Sequence, residues 1–284
     1  MSGLARIARR GRPRPNGLTI FGVVTLGCLL FLGVFGPWLP LGDPSRIAAG
    51  PRLDAPSAQF LFGTDELGRN FLPRVVQGIR STFLLSAVAV AITAVIGTLL
   101  GMAAGYLGRH TDQIVARGAD ILFAFPALVA GLLVAAIMGP GQASAITVIS
   151  IATLPLFIRV VRSVTLGVAG RGFVTAAEVA GASTLRVMLV HLLPNVMGAV
   201  IVQLTYALSI GMIIESGLSF LGLGVQPPNA SLGSLLRQGS AYLTIAPWMV
   251  LSSGVVLSLA IMSVNLVGDA VRDALEPLKG RPLT

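Results

Sequence analysis

Few residues of this 284-residue chain could do chemistry, and they are scattered. His110 and His191 are the only histidines, and neither has a His, Cys or carboxylate at metal-ligand spacing, so no zinc site is built from them. Cys28 is the only cysteine, which excludes an intrachain disulfide; inside an apolar run it reads as a small core or lipid-facing residue. Ser219 lies in Gly217-Leu218-Ser219-Phe220-Leu221-Gly222, without the Gly-x-Ser-x-Gly spacing that presents a hydrolase nucleophile. Lys279 is the only lysine and follows no glycine-rich turn, so the chain cannot cradle nucleotide phosphates itself. Two acids, Asp120 and Glu215, sit near the ends of apolar runs. An acid at membrane depth can bind a coupled ion or gate a path, and an acid at a helix end can cap or snorkel. Asp65 and Arg69 share the turn Gly63-Thr64-Asp65-Glu66-Leu67-Gly68-Arg69, which reads either as a folded corner or as a docking point for another protein.

These residues are positioned by a membrane-embedded scaffold. The chain is 54% hydrophobic and only 11% charged, with a mean hydropathy of +0.86. Soluble domains carry roughly a quarter charged residues. So few charges cannot cover a soluble surface, and the apolar excess must face lipid. The net charge of +9 could suggest nucleic-acid binding, but the basic residues fall between apolar runs instead of clustering on one soluble face, so no nucleic-acid partner is expected.

The apolar runs predict about six transmembrane helices. The first is 18–39, behind a basic tail (1–17) with Arg6, Arg9, Arg10, Arg12 and Arg14; its run is longer than that of a cleaved signal peptide and reads as a retained helix. A segment 40–82 follows. A core of five helices then occupies 83–268, and a tail 269–284 closes the chain. Within the core, Phe83 to Tyr106 is uncharged and long enough to span. Ile121 to Ile158 is too long for one span and is divided at Gly139-Pro140-Gly141-Gln142 into two helices, the first starting as early as Ile114. Val196 to Ile214 and Ala246 to Val267 complete the set. Lys and Arg near span ends are retained in the cytoplasm. Arg109, Arg117, Arg159, Arg162, Arg171, Arg186 and Arg272 therefore agree with cytoplasmic N- and C-termini, leaving 40–82 and Leu218 to Ile245 outside.

The stretch Arg159 to Asn195 is too polar to span and longer than a turn needs. Phe173 to Ala180 has helix-forming composition, Gly181 is a natural left-handed cap, and Ser183 can cap a second stretch, Thr184 to Leu192, which Pro194 ends. The expectation is two short helices hinged at Gly181. Such a unit is either an interfacial connector packed under the bundle or a docking surface, since small alanines beside a glycine turn permit close approach.

Thr175-Ala176-Ala177, three residues, Gly181, nine residues, then His191-Leu192-Leu193-Pro194 resembles the EAA loop of binding-protein-dependent ABC importer permeases. Thr175 stands where that motif has glutamate and His191 where it has isoleucine, while His191 to Asn195 is similar to the form used by dipeptide, oligopeptide and nickel permeases. Further likeness runs through Phe62 to Asn70, Asp120 to Pro126, Glu215 to Pro228 and Asn265 to Pro277. Leu232 stands where that group often has tryptophan. The chain thus resembles the C-type subunit of the dipeptide/oligopeptide/nickel permease family.

The resemblance implies an all-α, type I importer permease fold in the inner membrane. It implies that 171–195, with Thr175, Ala176, Ala177, Gly181, Ala182, Ser183, His191, Pro194 and Asn195, couples to a separate ATPase. The implied partners are a second homologous permease, two ATPase subunits holding ATP and magnesium, an extracytoplasmic substrate-binding protein, and the lipid bilayer. No cofactor is implied in this chain. Peptides are the leading substrate and nickel or another small solute the alternative; an ion-coupled transporter or a membrane enzyme is disfavoured.

Overall fold

The structure is a computed structural model, which describes residues 16–275. The basic residues of 1–15, with Lys279 and Arg281, lie outside the described residues. Among the described residues ten α-helices run in chain order: α1 (Gly17–Phe35), α2 (Phe71–Leu107), α3 (Arg109–Ala124), α4 (Ala127–Met138), α5 (Gln142–Ala169), α6 (Gly172–Val179), α7 (Thr184–Arg186), α8 (Leu193–Phe220), α9 (Leu232–Ser240) and α10 (Pro247–Leu275). Five segments among the described residues are long and apolar enough to cross a membrane, and α3 with α4, bent by 90°, makes up to six when the pair is counted as one span. The expected count of about six is met, with one span broken.

The break has a local cause. Phe125 is extended at φ −87° and ψ 125°, the conformation that a following proline imposes, and Pro126 stands at the N-cap of α4. With 12 residues α4 is about 18 Å long, too short to cross alone a hydrocarbon core of about 30 Å. The expected pair of uninterrupted helices is therefore corrected at its first member. The second break falls at Gly139 to Gly141, where it was expected.

Other boundaries also move. Helix α2 starts at Phe71, where the Asn70 side chain accepts from Leu72 N at 3.3 Å, so the segment expected at 40–82 ends at residue 70. Its apolar run stops at Phe83 because Arg74 and Arg80 interrupt it, but charge does not end a helix when a partner takes it up. Helix α8 extends beyond the expected Val196 to Ile214 at both ends, and α10 continues to Leu275, into the expected tail.

Small residues set the tightest helix pair. Gly97, Gly101 and Gly105 of α2 lie against Phe157, Val161 and Thr165 of α5, and a Cβ placed on each glycine would come within 2.5, 2.8 and 2.8 Å of the facing Cβ. In lipid, where burial of apolar surface offers no advantage, such close backbone approach is what holds helices together. Thr93 and Thr153 extend the seam with a hydroxyl contact of 3.1 Å. At one end of the bundle the connections Gly170 to Leu192 and Gly108 gather (the loop end); at the other, 39–70 packs with α9 and the start of α10, where Trp248 Nε1 donates to Thr64 O at 3.4 Å.

Candidate functional site

At the loop end, α6 and α7 form the expected helix-turn-helix. Gly181 has φ +82° and serves as the left-handed residue of a Schellman turn: its N–H donates to Glu178 O at 2.9 Å, and Ala182 N–H donates to Ala177 O at 3.0 Å. Ser183 caps α7, its hydroxyl accepting from Arg186 N at 3.4 Å.

The loop is fastened by burying one side. Val174, Val187 and Leu192 are fully buried and join Met102, Val161 and Val196 in a single core cluster. The other side faces out. Thr175 and Ala176 are exposed, as are Gly181 and Ser183, and around them Val179 is 85% and Leu185 65% exposed, with Val190 at 56%. Ala177 and Ala182 are half-buried. Apolar side chains this exposed, grouped at one end of a membrane bundle, suit a protein contact or the lipid interface.

The second half of the loop departs from expectation. Pro194 does not end it: Thr184 to Phe220 is one continuous rod. Val187–Leu192 is a π turn in which Leu193 N–H donates to Met188 O, five residues back. The widened turn accommodates the proline that lacks a donor of its own. Asn195 Nδ2 donates to His191 O at 2.7 Å, and the His191 ring lies 6.5 Å from that of Phe173, closing the two arms on each other. The hinge is thereby joined without a break to α8.

Two residues that sequence reasoning passed over tie the loop to the bundle. Tyr106, in the last turn of α2, donates its hydroxyl to Glu178 Oε1 at 2.7 Å. Glu178 is the single acid between Arg171 and Asn195, which was the available signal. Nearby, Asp120 pairs with Arg159 at 2.7 Å, both exposed, and Arg159 stacks over Phe123 at 4.6 Å. Asp112 pairs with Arg162. These pairs fix α3 beside α5 at the loop end.

Glu215 lies in a different place, toward the opposite end, and is fully buried. Thr82 donates to its Oε2 at 2.9 Å and Ser219 to its Oε1 at 2.6 Å. Each hydroxyl in turn accepts a backbone N–H, from Leu232 at 3.2 Å and from Val225 at 3.1 Å. The carboxyl thus ties α2, α8, α9 and the turn after α8 into one knot, and Ser219 is a link in it.

Asp65 and Arg69 form a second knot. Asp65 is fully buried; its Oδ1 accepts from Leu67 N and Arg69 N, each at 2.9 Å, and its Oδ2 from Arg69 Nε at 2.6 Å. Arg74, also buried, brings Nε to 3.4 Å from Asp65 Oδ2 without hydrogen-bond alignment, and donates to Gln238 Oε1 at 3.0 Å. Turned inward, the Asp65 and Arg69 charges do not form the docking point that exposed side chains would have made. Among the described residues no three His, Cys, Asp or Glu side chains converge as metal ligands.

An all-helical bundle of five spans and a broken sixth, with an anchored helix-turn-helix exposed at one end, has the architecture of a membrane permease. Residues 97–281 match the binding-protein-dependent transport system inner membrane component family. The chain belongs to that family. It is 38% identical over 262 residues to the di/tripeptide transport system permease protein DppC of Pseudomonas aeruginosa, covering 90% of this chain and 86% of that one. It is 36% identical to the probable D,D-dipeptide transport system permease protein DdpC of Escherichia coli K12, covering 93% and 88%. Among solved structures, an inward-facing form of the MetNI methionine ABC transporter matches with a TM-score of 0.61 at 19% identity, covering 73% of this chain and 98% of that one. That likeness establishes the type I importer permease fold.

Proposed function

We propose that this chain forms half of a translocation path for peptides and couples it to separate ATPase subunits through the loop 171–195. The observation that carries the coupling role is the two-sidedness of that loop: Val174, Val187 and Leu192 lock it to the bundle, while Ala176, Val179, Leu185 and Val190 stand free for a partner. A rigid element held on one side and exposed on the other can pass the closure of an ATPase into α8. The full assembly is this chain, a second homologous permease, two ATPase subunits that bind ATP and magnesium, and a substrate-binding protein on the far side of the inner membrane, with both termini and the loop in the cytoplasm. Relatives named for di/tripeptide, D,D-dipeptide and glutathione transport favour a peptide over nickel.

The test is Gly181→Asp. A Cβ at this position meets nothing within 4 Å, and the cost of a side chain at φ +82°, about 1–2 kcal/mol, falls on this surface turn, so the bundle is expected to insert and the new charge to face the partner. ATP hydrolysis should persist in reconstituted vesicles while peptide uptake is lost; full uptake by the variant would remove the coupling assignment.

A further inference from the structure

Toward the loop end, α8 and α10 present polar side chains, of which Gln203 and Asn265 lie furthest from the helix ends, each ten residues in. Gln203 lies about 15 Å along α8 from its start at Leu193, at 1.5 Å per residue. On α10, Asn265, Asp269 and Arg272 fall four and three residues apart, on one side of the helix, and all are exposed. These residues line two furrows between the helices, of about 610 and 210 Å³; Gln203 and Arg272 belong to both. By contrast, the exposed residues of α1 and of the middle of α2 are apolar, as a lipid-facing surface requires. Polar side chains at membrane depth face a bundle interior or a water-filled cavity.

Two amides in the smaller furrow have unused donors. The Gln203 side chain is buried, at 8% exposure, and its Nε2 has no partner. Asn265 accepts from the Ser209 hydroxyl through Oδ1 at 2.7 Å, which leaves its NH₂ group for the furrow. In a furrow open to water such donors are met by water, which a carbonyl oxygen of a passing solute can replace. Both groups are NH₂ donors, so the ligand they fit presents hydrogen-bond acceptors, which a peptide supplies as main-chain carbonyl oxygens.

We propose that this furrow is a water-filled wall of the translocation path, and that the Gln203 and Asn265 amides hold main-chain carbonyls of the passing peptide. The second part rests on the peptide reading above. Contact with the main chain alone would admit peptides regardless of their side chains.

The test uses the complete transporter in vesicles, with the chain's single cysteine removed by Cys28→Ser. Asn265→Cys is compared with Val95→Cys, an exposed apolar position in the middle of α2, for reaction with a membrane-impermeant thiol reagent added on the loop side. The residue 265 thiol is expected to react at least ~10-fold faster, because only the thiolate in water is nucleophilic. Equal, slow reaction at both would overturn the furrow, showing that lipid or the second permease covers this face. Gln203→Leu is expected to lower dipeptide uptake about 3–10-fold, the worth of one hydrogen bond, and Gln203→Asn, which keeps the NH₂ donor, to restore uptake. Unchanged uptake by Gln203→Leu would overturn the amide role. A wild-type complex that imports no dipeptide would instead refute the peptide reading, and the thiol result would still decide the furrow.

Discussion

Gly101→Ala is the sharpest test of how this bundle is held together. The added methyl would sit 2.8 Å from Val161 Cβ and 3.0 Å from the carbonyl oxygen of Ile158. Carbon contacts settle at about 3.5–4.0 Å, so α2 and α5 must part by roughly 0.7–1.2 Å at this level. Neither obstacle can rotate away, since one is attached to the backbone and the other is part of it. Parting also loosens the Gly97 and Gly105 layers one turn to either side. Overpacking of this kind costs about 1–3 kcal/mol, against which alanine returns up to about 1 kcal/mol of helix propensity. The net loss is about 0–3 kcal/mol, centred near 1–2. Reversible unfolding in mixed micelles, followed by circular dichroism, measures it. Gly27→Ala in α1 is the matched control, since nothing lies within 4 Å of the added methyl, and it should be neutral or slightly stabilising. If both variants matched the wild type, the glycine seam would not be what joins α2 to α5.

Further consequences follow from the two buried knots and the loop tie. Glu215→Leu removes the acceptor of the Thr82 and Ser219 hydroxyls and should cost about 1–3 kcal/mol per stranded donor, with Glu215→Gln milder; unfolding midpoints of the purified chain decide this. Asp65→Asn leaves Arg69 and Arg74 buried without their shared anion and should destabilise by about 3–5 kcal/mol, with hydrogen exchange rising first in residues 48–70. Tyr106→Phe releases Glu178, and hydrogen exchange in α6 should accelerate while α5 stays protected.

Much of this was legible in the sequence because membrane spans are long and uninterrupted by charge. The spacing from Thr175 to Pro194 likewise located the hinge, since only a left-handed residue such as Gly181 completes the Schellman turn observed. What escaped depended on partners distant in sequence. Arg74 looked like the end of an apolar run until Asp65 and Gln238 were found to take up its charge, which lets α2 begin at Phe71. Pro194 looked like a terminator, yet the π turn before it carries the helix through. Pro126 was part of a motif and not read as a break, although it bends a span by 90°. Asp65 and Arg69 carry opposite charges four residues apart, a pattern that suits a surface turn equally well; only the fold shows that they face inward.

Peptide uptake by the reconstituted complex bears most directly on the central claim. Proteoliposomes holding this chain, its partner permease and the ATPase subunits should, with binding protein and ATP supplied, accumulate a labelled dipeptide above its external concentration, and Gly181→Asp should abolish accumulation while hydrolysis continues. Accumulation driven by an ion gradient without ATP, or undiminished by Gly181→Asp, would contradict it.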